Sequence, residues 1–547
     1  MHTETSTSRP SRLRTALPAL AGAAALVLAG CSGSGDAGSS SAAAGAGDGT
    51  GTAAHFTMGL GTAPNSLDVT RHFDANVMGI MSLFTEPIER LSGDGTLTPN
   101  IAEEVTQPDD LTIVYTIREG VEFSNGEPLT PEDIVWSIEH VTDVEAGAQT
   151  ASLTASVESA EVTGEHEVTV KLSQPDPAAR ASLALVALVQ DADFGEENAA
   201  ELGQPTAVPV GTGPYVVTSS TPEAVELERN ANYWGEAPVP DQITVSFFGS
   251  DDTGQAAMRS GSADGMLLGN PVSLPQFESI SGTNVYSTPA LMSHFWSLDT
   301  STAPFDDIHV RRAFAHAIDR EGLLKASFGT SARPLDAMIP RDLLTPIASE
   351  GEVDDFLAGL TPIEFDLDKA AEELAQSKYA DGFEVELPVM AASWMELSAL
   401  NLQQNLEPLG VTITTRTVTP QQWVEMVFSH DTGQIFPMSF AAAVPDPGLL
   451  RRVVSEEART QAGGYNFANW APPELQDLAA NLQETTDDAG RFEAATTILT
   501  QISEEVPYIP MYQPDFVMVL ANGFTFTEAP TVIDVASGTW IQNLRAG

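Results

Sequence analysis

One cysteine, Cys31, stands in a chain of 547 residues, so no internal disulfide can staple the chain and its fold must be held by an apolar core. The material for such a core is present. Apolar residues make up 42% of the sequence, with 43 Gly and 36 Pro, which is enough for two to four domains. A collagen, a coiled coil and a small disulfide scaffold are excluded by that balance. Asp and Glu number 76 against 24 Lys and Arg, a formal net charge of -52. A surface of this sign repels phosphates, so nucleic acid is not an expected partner. Lysine occurs only as Lys171, Lys325, Lys369 and Lys378. The acidity is read as serving solubility and a mild attraction for cations.

The N-terminus carries an address. Arg9, Arg12 and Arg14 precede an apolar run from Ala16 to Ala29 of secretory-signal length, too short for a spanning helix. Leu28-Ala29-Gly30-Cys31 closes the run and resembles the bacterial lipobox. That resemblance implies cleavage before Cys31, with 1–30 the signal peptide, and acylation of its sulfur, which anchors the exported protein to the outer face of the cytoplasmic membrane. A plain secretory signal with an incidental cysteine is the alternative. From Ser32 to Ala54 the chain is Gly, Ser, Ala, Thr and Asp without one large apolar side chain, so 31–54 reads as a flexible tether.

Globular patterning begins near His55, and no repeat of 20 to 50 residues points to a solenoid or propeller. Leu111, Ile113, Tyr115 and Ile117 alternate with polar residues, as do Val168, Val170 and Leu172, which predicts strands with one buried face. Thr130-Pro131-Glu132-Asp133 predicts a helix start: Thr130 caps, Pro131 loses nothing at the first position, and the acids suit the positive end of the dipole. Its apolar stripe is Ile134, Val135, Ile138 and Val141. A second helix is predicted from Asp307, with Val310, Ala313, Phe314, Ala317 and Ile318 on one stripe and Arg311, Arg312 and His316 on other faces. A third begins at Asp366 and carries Ala370, Ala371 and Leu374. Strands alternating with helices argue for an α/β architecture with several lobes.

No phosphate loop, dinucleotide fingerprint or nucleophile elbow is present, and the histidines after Cys31 never sit two to five apart. Neither a catalytic residue, a metal nor a cofactor is expected. The acid pairs Asp109-Asp110, Glu132-Asp133, Asp251-Asp252 and Asp306-Asp307 read as turn and cap acids, because neighbours on a chain point apart. Gly211 and Gly213 around Thr212 are read as allowing a crossing segment to approach, and Tyr233-Trp234 as packing a corner.

Five stretches, in order, are similar to the peptide/nickel (family 5) class of bacterial extracellular solute-binding proteins. They are Phe123-Ser124-Asn125-Gly126-Glu127-Pro128-Leu129-Thr130-Pro131-Glu132-Asp133, Pro209 to Tyr215, Leu227 to Gly235, Ala303 to Asp307 with Val310 to Ala313 and Ala317 to Arg320, and Phe365 to Ala370. The resemblance implies a two-lobed periplasmic-binding-protein-like α/β fold (type II, the large three-subdomain variant) with a hinged ligand cleft. Lobe I would comprise subdomain a (55–92, 205–290 and 515–547) and subdomain b (93–204), with lobe II at 291–514. It also implies a monomer that captures a peptide or other small solute and delivers it to the membrane permease and ATPase subunits of an ABC importer. Alternatives are a non-peptide solute such as a glycoside, opine or metal chelate, or a sensory binding protein. A secreted hydrolase would need an activated nucleophile beside a base.

Peptide-binding members place an aspartate for the peptide α-amino group shortly before an acid-proline pair. Here Asp446-Pro447 matches the pair, Phe440 falls at the preceding tryptophan, and Ala443 falls at the aspartate. A methyl group cannot pair with an ammonium, so either the ligand lacks that group or another carboxylate serves. Asp446 is the nearest substitute, with a turn role before Pro447 as its alternative. Trp423 and Phe440 match pocket aromatics of the family. Trp394, at a strand end, and Trp296 and His294, ahead of the second predicted helix, are further candidates for the ligand site, with core packing the alternative for each.

Overall fold

The computed structural model describes residues 55–391, 393–459 and 464–547. The expected signal peptide, Cys31 and the expected tether lie outside the described residues. A ten-stranded mixed sheet runs in the hydrogen-bonded order Tyr215–Ser220, Ala224–Arg229, Gln242–Phe247, His55–Leu60, Gly265–Leu267, Tyr508–Leu520, Met292–Leu298 and Ile435–Ala441. Asn284–Pro289 and Ala332–Pro334 also pair with Tyr508–Leu520. This long strand changes partners along its length. Tyr508 to Pro514 face Met292–Leu298 and Ala332–Pro334, whereas Asp515 to Leu520 face Asn284–Pro289.

A separate four-stranded antiparallel sheet orders Ala102–Asp109, Thr112–Ile117, Glu167–Leu172 and Val157–Gly164. Ile113, Tyr115, Ile117, Val168, Val170 and Leu172 are all buried, the alternation expected, while Leu111 lies outside the strand and is exposed. Helix Pro131–Thr142 packs against this sheet through Ile134, Ile138 and Val141. At its start the Asp133 carboxylate accepts from the Thr130 N–H at 2.8 Å and the Thr130 hydroxyl at 2.7 Å. Helix Ile308–Ala317 is capped by Asp307, and Leu367–Gln376 by Asp366. One residue of the former departs from its pattern. Arg311 is buried, its Nε donating to the Glu505 carbonyl and Nη1 to the Phe305 carbonyl, both at 2.8 Å, so carbonyls at neighbouring turns replace its water.

Members of the acid pairs hold turns and caps, whereas Asp306 departs from that expectation and accepts from Lys378 Nζ at 3.1 Å and Tyr379 OH at 2.8 Å. Asp109 accepts from the Leu111 N–H, and Asp251 accepts from the Gly269 and Asn270 N–H groups and the Ser273 hydroxyl. Gly211 and Gly213 lie so close to the backbone of Phe84 that an added Cβ would fall 2.3 and 2.5 Å from its carbonyl atoms.

That close crossing brings a buried carboxylate within reach. Glu86 is 1% exposed, and accepts from Arg90 Nη2 at 2.8 Å, Trp234 Nε1 at 2.7 Å, Thr212 Oγ1 at 3.1 Å and Tyr233 OH at 3.2 Å. Burial pushes its carboxyl above the usual range, and Arg90 pulls the other way. Two of the family-like stretches, Pro209 to Tyr215 and Leu227 to Gly235, therefore converge on one acid outside either. Glu86→Ala strips these donors of their shared acceptor and is expected to lower stability by about 3 kcal/mol, read from the midpoint of chemical denaturation. An unchanged midpoint would show that the junction does not depend on this carboxylate.

Candidate functional site

A cavity of about 370 Å³ takes one wall from Phe73, Gln149, Ser152, Leu153 and Asp176 to Ala178, and the other from Ala441 to Val444 and the segment beyond it. The small side chains of Ala441, Ala442 and Ala443, at and just after the end of strand Ile435–Ala441, leave the space open. Asp446 then caps the one-turn helix Pro447–Leu450, accepting from the Gly448 N–H at 2.7 Å. Its two oxygens also accept from Arg491 Nη2 at 2.7 and 2.6 Å. Arg491 is 2% exposed and sends its Nε to the Leu482 carbonyl at 3.1 Å. Asp446 thus faces the cavity while its charge is matched from behind, and the turn it fixes carries Leu449 and Arg452 to the cavity wall.

Arg452 lies 4.7 Å over the Tyr465 ring and 5.5 Å over the Phe440 ring. Tyr465 lines the cavity; Phe440, 4.5 Å from it, is buried one ring behind. From Tyr465 the rings continue through Phe467 at 5.9 Å and Phe436 at 5.7 Å to Trp423, stacked 5.7 Å from Phe436. The Trp423 indole N–H is buried and finds no acceptor among the described residues. Ala443 and Asp446 therefore line one cavity, with Phe440 one ring behind it and Trp423 three rings away from Tyr465.

His294 and Trp296, on the neighbouring strand, group with Trp394; there His294 pairs in register with Ser439 and Ser293 with Phe440. His294 stacks on Trp394 at 4.9 Å and on Phe328 at 5.8 Å, and its Nδ1 lies 2.7 Å from Ser439 Oγ. Trp296 is wholly buried. Trp394, at the start of helix Trp394–Leu406, bounds a smaller cavity of about 280 Å³ with Phe328, Asn270 and Val272. Among the described residues no group of His, Cys, Asp or Glu is arranged to hold a metal ion.

Sequence reasoning missed Asp176, Arg452 and Tyr465. Asp176-Pro177 is itself an acid-proline step between a strand and a helix, a signal of a turn; nothing local marks the other two.

Burial pulls the His294 imidazole down to about 4. Its ordinary value in the unfolded chain is about 6.5, so below that pH the unfolded chain gains a proton that the folded one refuses. Stability is therefore lost as pH falls from about 6.5 toward 4. Between pH 7 and pH 5 the wild type should lose about 2 kcal/mol more than His294→Gln, measured by paired denaturation curves. Equal losses would contradict a neutral buried imidazole.

The whole arrangement has the fold of the periplasmic binding proteins. The DppA protein of Helicobacter pylori in complex with the peptide STSA matches 90% of this chain and 98% of its own at a TM-score of 0.73 and 19% identity. NikA of Brucella suis in complex with Fe(III)-EDTA matches 90% and 100% at 0.75 and 21%. In sequence, a Brucella ovis protein named as an ABC transporter peptide-binding protein is 26% identical over 416 residues, 74% of this chain and 75% of the relative. Residues 96–459 match the family model described as bacterial extracellular solute-binding proteins, family 5 (middle), and the chain belongs to that family. It is a family of binding proteins, not of enzymes.

Proposed function

We propose that the protein is the substrate-binding component of an ABC importer, held to the outer face of the membrane by a lipid on Cys31, and that it captures a peptide or peptide-like solute in the 370 Å³ cavity. One observation carries this reading: the cavity walls come from stretches more than two hundred residues apart, 149–178 and 441–465. Those stretches belong to subdomain b and lobe II of the expected division. The partner change of strand Tyr508–Leu520 at Pro514 and Asp515, beside the step from Asn284–Pro289 to Met292–Leu298, supports the lobe boundaries at 290 and 514. A hinge of two strands lets the walls close on a solute, and the closed state is what a permease recognises.

Ala443 favours a second reading of the cargo, since its methyl group stands in the wall where peptide-binding members carry an aspartate. A glycoside, an opine or a metal chelate then fits the same cavity. A sensory role would use the same capture without transport.

Native mass spectrometry of the soluble form starting after Cys31, purified without denaturant, tests the reading. A bound mass that leaves on activation is the expected result; a ladder of peptide masses identifies a peptide receptor and one discrete other mass the second cargo. A protein that carries no solute and takes none from a peptide and metabolite library would overturn it. Cys31→Ala should move the protein from the membrane fraction to the supernatant, and its retention in the pellet after a carbonate wash would refute the lipid anchor.

A further inference from the structure

Three charged side chains, Asp176, Asp446 and Arg452, line the cavity. Asp446 is matched by Arg491, and Arg452 lies against the faces of Tyr465 and Phe440. Asp176 differs from both. Its Oδ2 accepts from Ser156 Oγ at 2.6 Å and its Oδ1 from the Ala178 N–H at 2.9 Å, and it pairs with no cation among the described residues. These two neutral donors fix the carboxylate, and each oxygen keeps a second lone pair. Burial raises its carboxyl above the usual range, the nearby Asp446 charge adds to the rise, and Arg491 works against it. A carboxylate so placed is stabilised by a cation arriving in the cavity, provided the cation brings its own donors.

We infer that Asp176 is the specificity-determining acid of this cavity and receives a protonated amine of the solute, taking from the 149–178 wall the role that Ala443 leaves empty on the other. The inference rests on the reading of this cavity as the solute site. A carboxylate held only as a turn staple is the competing role, since Ala178 lies just ahead of helix Ala179–Val186. The two roles differ in what charge does. A staple survives in Asn, whose Oδ1 still accepts from the Ala178 N–H while the Ser156 hydroxyl turns to accept from Nδ2, whereas an ammonium needs the negative charge.

The test uses the soluble form after Cys31 and a panel of di- and tripeptides, amino sugars and polyamines, each paired with its N-acetylated counterpart, screened by thermal shift and then calorimetry. Binding is expected among the free amines. N-acetylation and Asp176→Asn should each weaken it on the order of tenfold to a hundredfold, the scale of a charge-assisted hydrogen bond, with the unliganded melting temperature unchanged. If Asp176→Asn melts early, its affinity is measured by calorimetry well below its own melting temperature, where the variant is fully folded, and compared with wild type there. Equal affinity for acetylated partners, wild-type affinity in Asp176→Asn, or no binding by any free amine would overturn the inference. A solute bound by N-acetylated members, or retained in native mass spectrometry, would leave the solute-binding reading standing in each of those cases.

Discussion

The junction of the Phe84, Pro209 to Tyr215 and Leu227 to Gly235 segments depends on a buried carboxylate that cannot be left without partners. Glu86 is taken out of water by the crossing of the Phe84 segment over Gly211 and Gly213, and four donors from three separate stretches replace its hydration. The arrangement is specific because it is costly to satisfy in part. Thr212 must face inward, which needs glycine on both sides; Trp234 must turn its N–H to the acid, while its ring meets Arg118 at 4.9 Å. One junction thereby fixes the segment after Pro209 against strand Glu86–Pro87, which pairs with Leu188–Val189 just after helix Ala179–Val186. Asp176 stands three residues before the start of that helix.

The far wall uses the same device. Arg491 is a buried cation that Asp446 neutralises and the Leu482 carbonyl completes, and Asp446 in turn holds the first turn after Pro447. The Asp446–Arg491 junction thus stands behind one cavity wall, while Asp176, Arg452, Tyr465 and the three alanines face the space.

Much of this was legible in the residues. Thr130, Asp307 and Asp366 announced their helices because caps are satisfied within three residues, and the strands at 112–117 and 167–172 because burial on one face imposes a period of two. The close approach at Gly211 and Gly213 was readable for a similar reason: only glycine tolerates it. Arg311, Glu86 and Asp176 were not legible. Each is defined by a partner brought in from elsewhere in the chain: Glu505 for Arg311, Thr212 and Trp234 for Glu86, the facing Ala443 wall for Asp176. Periodicity tells which side of a helix is apolar but cannot say which carbonyl waits there for a guanidinium. The aromatics divided along the same line: type and position in the chain selected Trp423, Phe440, Trp296 and Trp394, but only packing distinguishes wholly buried Trp296 from Trp394 at the edge of a cavity.

The most direct measurement is a crystal structure of the soluble form carrying the solute it retains through purification. Electron density for that solute between Asp176 and Ala443, with Tyr465 in contact, is the expected result. Density confined to the Trp394 and Phe328 cavity, with the Ala443 cavity closed and dry, would contradict the placement of the solute site.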